Sequence, residues 1–280
     1  LQNVTFFLSN LLELLTLFNK GINDTVLVNN INDTIINNSN ENDNSIVNNL
    51  TNFISTLFQH MCELQKESIS HMIPDSIIYY QPLDKFRCDD NFFKKYFKSN
   101  HSVYKLINQL DYLCNMMYYF GIPSSFVKES LNYLLKSINV NCFNRILIEQ
   151  NFINFNRATQ INFNLNEISK FIQEIGFTEG LDALRHTKDV VVLVFLLMNG
   201  EDYSSIQSEC TSLNVSQLNT FFVKIEGINA NELKNESKEI NIFLDDPVLN
   251  IPLLSDKHDF IFCLPRYLPS KQITALLSSI

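Results

Sequence analysis

The chain has 280 residues, 45% hydrophobic and 18% charged, enough to bury a sizeable core and too apolar to stay disordered. Only 6 Gly and 7 Pro accompany 23 Phe, and so few turn formers favour helices over a many-stranded sandwich. A net charge of −9 and a pI near 5.0 argue against a broad phosphate-binding surface, which needs clustered Lys and Arg.

The chain starts at Leu1 without a methionine and reads as a piece of something longer. VTFFLSNLLELLTLF (4–18) has apolar residues on most faces and predicts a largely buried helix. Residues 19–48 are dominated by Asn with no helical period, which predicts a surface insertion, partly or wholly disordered. A helix resumes over 50–73, with Leu50, Phe53, Leu57, Met61 and Leu64 as its apolar face. Pro74 and Pro82 interrupt it.

The next helix runs from about Asn91 to Phe120, ended by Gly121, and Pro123 opens a long one over 124–150. Asn164 is read as an N-cap with Glu167 as its capping-box partner, the turn 155–160 setting the chain's entry. Leu165, Ile168, Phe171, Ile172 and Ile175 line one face of that helix, and Gly176 suits its C′ position. A helix over 179–198 contains VVVLVFLLM (190–198), too short to span a bilayer and read as a buried core helix. Shorter helices follow near 201–210 and after Ser212 or Asn214, the latter carrying Val215, Leu218, Phe222 and Ile225. An exposed amphipathic helix is expected over 230–244 and a last short one over 270–280.

No chemistry-bearing motif emerges. The glycines form neither GxxxxGK[ST] nor GxGxxG, there is no HExxH or GxSxG, and the six cysteines are dispersed as reduced, buried thiols. Asp89–Asp90 and Asp245–Asp246 read as capping and solvated acids. FFKKYFK (92–98), the best basic stretch, reads as an amphipathic helix end rather than an RNA contact. The expectation is a protein without catalytic residues, metal or cofactor.

The segment FNRILIEQNFINFNRATQINFNLNEISKFIQEIG (143–176) resembles the signature of the dilute domain, the cargo-binding globular tail of class V myosins. Arg157, Gln160, Ile161, Phe163, Asn164, Leu165 and Ile168 keep its register, while Phe155 and Phe171 stand where tryptophans are usual. In IQSECTSLNVSQLNTFFVKIE (206–226), Cys210, Leu213, Gln217 and Leu218 match a second family stretch. VTFFLSN near the start is similar to the family's FWLSN, and the carboxyl end is similar to the fungal form.

The resemblance implies an all-α fold of two packed helical-bundle subdomains linked by long helices. Residues 1–120 would form an N-terminally truncated first subdomain carrying the insertion 19–48, and 121–280 the second. It also implies a cytoplasmic, actin-cable-associated tail directed to a bud or growth tip, without membrane insertion and dimerised by a coiled coil outside this chain. In vesicle-carrying members a Rab GTPase contacts a tyrosine, a lysine and a glutamine. By register those positions are Phe163, Val192 and Phe195, none of which keeps the polar group. That departure favours a relative whose partner is a protein adaptor for localised mRNA, with RNA held only indirectly. The alternative partners are a Rab GTPase and vesicle or vacuole receptors.

Overall fold

The computed structural model describes residues 1–29, 40–79, 102–149, 154–226 and 242–250, with side chains described for 1–15, 45–79, 102–149, 154–224 and 242–250. Among these the regular structure is helical, as expected, and there is no strand. The α-helices are α1 (Gln2–Asn29), α2 (Asn40–Ser70), α3 (Ser102–Tyr119), α4 (Ser124–Ile148), α5 (Phe155–Glu174), α6 (Arg185–Met198), α7 (Tyr203–Glu209) and α8 (Val215–Glu226). A π-helical turn (Pro74–Ile78) follows α2, and a 3-10 helix (Thr178–Leu184) leads into α6. The expected helix over 270–280, the stretch 92–98, and residues 227–241 of the expected helix 230–244 lie outside the described residues. Residues 242–244, expected at the end of that helix, are non-helical, as is the stretch on to 250.

The chain divides into two compact units that do not follow chain order. The first comprises Leu1–Gln65, Tyr112–Ser130 and Leu249–Ile280, the second Lys66–Asp111 and Leu131–Val248. In the first, Leu8, Leu12 and Leu15 of α1 are buried, as are Ile54, Phe58 and Met61 of α2. Phe58 meets Phe126 edge to face at 4.9 Å. Ser130 donates to the buried Gln65, whose own amide reaches Met117 Sδ at 3.5 Å.

One expectation for this unit is narrowed and another overturned. The Asn-rich insertion is not unstructured at its ends: α1 continues to Asn29 and α2 begins at Asn40, leaving only 30–39 undescribed. Asparagine is only modestly unfavourable in a helix, so an apolar residue every few positions suffices to extend one. The buried face of α2 is also rotated from the expected one. Ile54, Phe58, Met61, Cys62, Gln65 and Ile69 are buried, whereas Phe53 is exposed and Leu50, Leu57 and Leu64 are half-buried.

The second unit packs α5 against α6, the π turn and the 3-10 helix, and α6 against α7. Leu165, Ile168, Phe171 and Ile172 are buried on α5 as expected, while Ile175, the C-cap, is exposed. Gly176 ends the helix with φ 72°, and Phe177 N–H reaches back to Ile172 O at 3.0 Å, a Schellman closure.

The start of α5 differs from expectation. Asn154 is the N-cap, its Oδ1 accepting from Arg157 N–H at 3.0 Å, and 155–160 is already helical. Asn164 lies mid-helix and buried. Its Nδ2 donates to Ile77 O at 3.1 Å, and its Oδ1 accepts from Gln160 Nε2 at 3.3 Å. Glu167 is no capping-box partner either: it accepts from Tyr104 Oη at 2.7 Å and pairs with Lys170. An Asn-x-x-Glu pattern looks like a cap locally, but the buried carbonyl of the π turn offered Asn164 a better partner than its own backbone.

Other helix ends in this unit are also completed from a distance. Asn139 of α4 accepts from Thr187 N–H at 3.0 Å and from Thr187 Oγ1 at 2.9 Å, doing for α6 what an N-cap residue would do. Lys224 of α8 donates to Leu147 O in the last turn of α4. At the start of α8, Asn214 and Gln217 form the reciprocal pair of a capping box, 2.9 Å each way. The non-helical 242–248 is held by the same device: Gln217 Nε2 donates to Ile242 O at 3.0 Å, and the Asn144 amide pairs with Leu244 N–H and C=O at 2.8 and 2.9 Å.

His186 packs edge to face on Phe143 and receives Asn139 Nδ2 on Nδ1 at 3.4 Å. Burial holds its pKa below the ordinary value of 6.5; Arg185 adds to this, and Asp189 opposes it. Folding therefore favours the neutral ring. The resulting stabilisation is complete above pH 6.5 and is lost as pH falls through the lower folded-state value.

Two outcomes are expected. Asn164→Leu leaves the Ile77 carbonyl and the Gln160 amide without partners and costs about 1–3 kcal/mol in urea unfolding; a cost below about 0.5 kcal/mol would refute a stabilising role. The urea midpoint of the wild type falls as pH drops below 6.5, and His186→Gln flattens that dependence; an unchanged slope in the variant would assign it to other groups.

Candidate functional site

Three of the buried thiols among the described residues are poor nucleophiles. Burial pushes Cys62 and Cys210 up to about 12 and raises Cys142 further, so they stay protonated at neutral pH. Among the described residues no group of three or more His, Cys, Asp or Glu could hold a metal ion. No described helix is long and apolar enough to cross a membrane.

The signature residues are brought together as internal supports. Gln160, Asn164, Leu165 and Ile168 are all buried on α5, and Arg157 is half-buried on its first turns. Cys210, Leu213, Gln217 and Leu218 are buried around the α7–α8 junction. Cys210 Sγ donates to Asp189 O at 3.4 Å, and Asp189 Oδ2 accepts from Ser212 N–H at 2.8 Å and Ser212 Oγ at 2.5 Å. Gln217 spends its amide on Asn214 and Ile242. Cys210 and Gln217 thereby help hold α6, α8 and the 242–248 segment in place.

The three positions expected at the docking surface are placed differently. Phe163 is half-buried on α5, Val192 is 37% exposed on α6, and Phe195 is half-buried one turn further on. The core-helix expectation for 190–198 therefore holds for only one side: Val190, Val191, Leu193 and Val194 are buried, while Val192 and Phe195–Met198 are not. A continuous apolar run hides the amphipathicity that tertiary packing imposes on it. Phe195 meets Phe155 edge to face at 5.6 Å, and Phe155 is 50% exposed at the start of α5. Met198, 61% exposed, lies one turn beyond Phe195.

The outer side of α5 and α6 thus carries an aromatic and aliphatic surface with Phe155, Val192 and Phe195 as its members. Sequence reasoning missed Phe155 as part of it. The available signal was its place one residue after a cap-forming Asn, where the first helical side chain starts on the surface.

Residues 129–225 match the DIL domain family. The chain is similar to Myosin-2 of Lachancea kluyveri, 26% identical over 162 residues, and to Myosin-2 of Saccharomyces cerevisiae, 24% identical over 163 residues; each match covers 56% of this chain. It spans about a tenth of the length of these curated relatives, 10% of each. Among solved structures, Myo2-GTD in complex with Smy1 is similar with a TM-score of 0.64 at 17% identity, over 88% of this chain and 64% of that one. Myo2-GTD in complex with Inp2 gives 0.58 at 18% identity, over 79% and 54%. The yeast myosin 5 cargo-binding domain gives 0.59 at 16% identity, over 80% and 55%. Residues 129–225 thus match a DIL domain, the non-catalytic module of myosin tails, and the described residues have the helical fold of the class V myosin cargo-binding tails.

Proposed function

We propose that the chain is the cargo-binding tail of an actin-based class V myosin working in the cytoplasm, and that its partner is a protein adaptor carrying localised mRNA. The match over 129–225 and the fold likeness support the tail. The similar structures bound to Smy1, Inp2 and Mmr1 support a protein partner. Residues 1–120 and 121–280 are read as belonging to the two subdomains of such a tail, with dimerisation carried by a coiled coil rather than by these residues.

The observation that carries the finer reading is the apolar character of Phe163, Val192 and Phe195. Simple burial would explain apolar residues there, but Val192 faces solvent. A Rab docking through a hydroxyl, an ammonium and an amide would lose about 1–3 kcal/mol for each directional contact. An adaptor presenting an apolar helix or extended segment would gain from Phe155, Val192 and Phe195 as anchors. The acidic chain fits RNA held by the adaptor rather than by the tail. The second reading is a vesicle or organelle carrier docking a Rab GTPase and organelle receptors.

Immobilised wild-type chain is expected to retain no GTP-loaded secretory Rab and to recover one dominant adaptor with a selective set of mRNAs from fungal cytosol. Val192→Asp with Phe195→Asp should weaken adaptor recovery at least ~10-fold with an unchanged melting temperature. Retention of the Rab by the wild type, or recovery of vesicle proteins without RNA, would establish the second reading instead.

A further inference from the structure

Residues 242–248 are tied to α4 and α8 through their own backbone. Asn144 of α4 donates Nδ2–H to Leu244 O at 2.9 Å and accepts Leu244 N–H on Oδ1 at 2.8 Å. Gln217 of α8 donates to Ile242 O at 3.0 Å. Two residues beyond Leu244, Asp246 pairs with Lys66 at 3.3 Å, and the same ammonium stands 5.8 Å from the centre of the Tyr133 ring. These contacts fall on every second residue, the repeat with which a strand-like peptide presents one side.

The segment and the helices that hold it differ in how firmly they are set. No residue from 242 to 248 is buried: Ile242, Leu244 and Pro247 are half-buried, Phe243 is 43% exposed and Val248 78%. Asn144, by contrast, sits on a helix whose Cys142, Phe143, Ile146 and Leu147 are all buried. Gln217 is itself buried, and its Oε1 accepts Asn214 N–H at 2.9 Å, so its Nε2 stays aimed whether or not Ile242 is there. A segment with so little burial belongs to the low-stability end of local opening, while its holders belong to the core.

The holders also specify what they hold. Asn144 and Gln217 read N–H and C=O groups, which select a backbone path rather than side chains. With the segment withdrawn, the Gln217 donor and both groups of Asn144 would lose their partners, at a cost that another peptide's backbone removes. Lys66 adds one side-chain preference, an acid two residues after the backbone pair.

We propose that α4 and α8 form a binding site for a non-helical peptide of a partner protein, and that 242–248 is its resident, releasable occupant. The recognised pattern is an apolar residue, any residue, an apolar residue, any residue and an acid, as in Ile242 to Asp246. A partner segment of that pattern replaces the resident bond for bond. The tethered resident competes at an effective concentration of roughly millimolar, which closes the site to weak ligands. The site uses none of Phe155, Val192 and Phe195, so it stands apart from the cargo reading above.

Fluorescence polarisation with a labelled peptide of residues 240–248 tests this on the whole 280-residue chain. Leu244→Pro with Asp246→Lys in the chain loosens the resident and should raise affinity for the peptide at least ~10-fold over wild type. Adding Asn144→Leu to that chain, methylating the Leu244 nitrogen of the peptide, or placing Asp246→Lys in the peptide should each remove most of the gain. In hydrogen exchange of the wild type, the Leu244 amide should exchange at least ~100-fold faster than the amides of α4 and α8. No gain in the loosened chain, or a gain that survives the methylated peptide, would overturn the proposal. So would a Leu244 amide that exchanges only as slowly as α4, or a loosened chain that no longer melts cooperatively, because the segment would then be part of the core rather than an occupant.

Discussion

The second unit depends on a recurrent solution to one problem: helix ends and non-helical backbone stop against other elements, where buried and half-buried polar groups need partners. Leaving such groups unpaired costs about 1–3 kcal/mol each. Side chains from other elements complete them. Asn139 serves the first turn of α6, Asn164 the carbonyl of Ile77, Asn144 both backbone groups of Leu244, and Gln217 the carbonyl of Ile242. An amide side chain carries a donor and an acceptor on one short stem, so it can stand in for a peptide group. Lys224 does the equivalent for the end of α4 with a charge, at the expense of burying its ammonium, which lowers its pKa.

That solution explains why the family signature carries no chemistry. Gln160, Asn164, Glu167, Asp189 and Gln217 would each be candidate catalytic or docking groups on a surface. Here they are bound to Tyr104, Ser212, Ile77, Ile242 and one another. They determine how α5, α6 and α8 are set, and therefore which residues of α5 and α6 remain outside. On the outer side of α5 and α6 lie Phe155, Val192 and Phe195, whose side chains carry no hydrogen-bonding group and present only shape and apolar area. A surface of this kind offers a partner no directional contact, so any discrimination it makes rests on shape and on what it refuses to hydrogen-bond.

Much of the fold was legible locally. The positive-φ glycines Gly121 and Gly176 ended helices where the apolar period stopped, and Asn214 with Gln217 formed the capping box its spacing allowed. The α5 face of Leu165, Ile168 and Ile172 was equally clear from its spacing. The misreadings share a cause. Asn164 with Glu167 has the local pattern of a cap, Leu50 with Phe53 and Leu57 that of a core face, and VVVLVFLLM that of a fully buried helix. Each pattern is compatible with two environments, and the neighbours that choose between them are far away in sequence.

The amino-acid sequence by itself determined the helical class, the places where helices stop at glycine, and the absence of a nucleophile, metal or phosphate motif, because these depend on local dihedral preference and short-range spacing. Tertiary structure alone decided that Asn154 rather than Asn164 caps α5, that α2 buries Ile54 and Phe58 rather than Phe53, and that Val192 stays outside while Val191 goes in. Those choices turn on which buried carbonyl needs a donor and which of two adjacent apolar faces meets another helix, and both are set only once the elements pack.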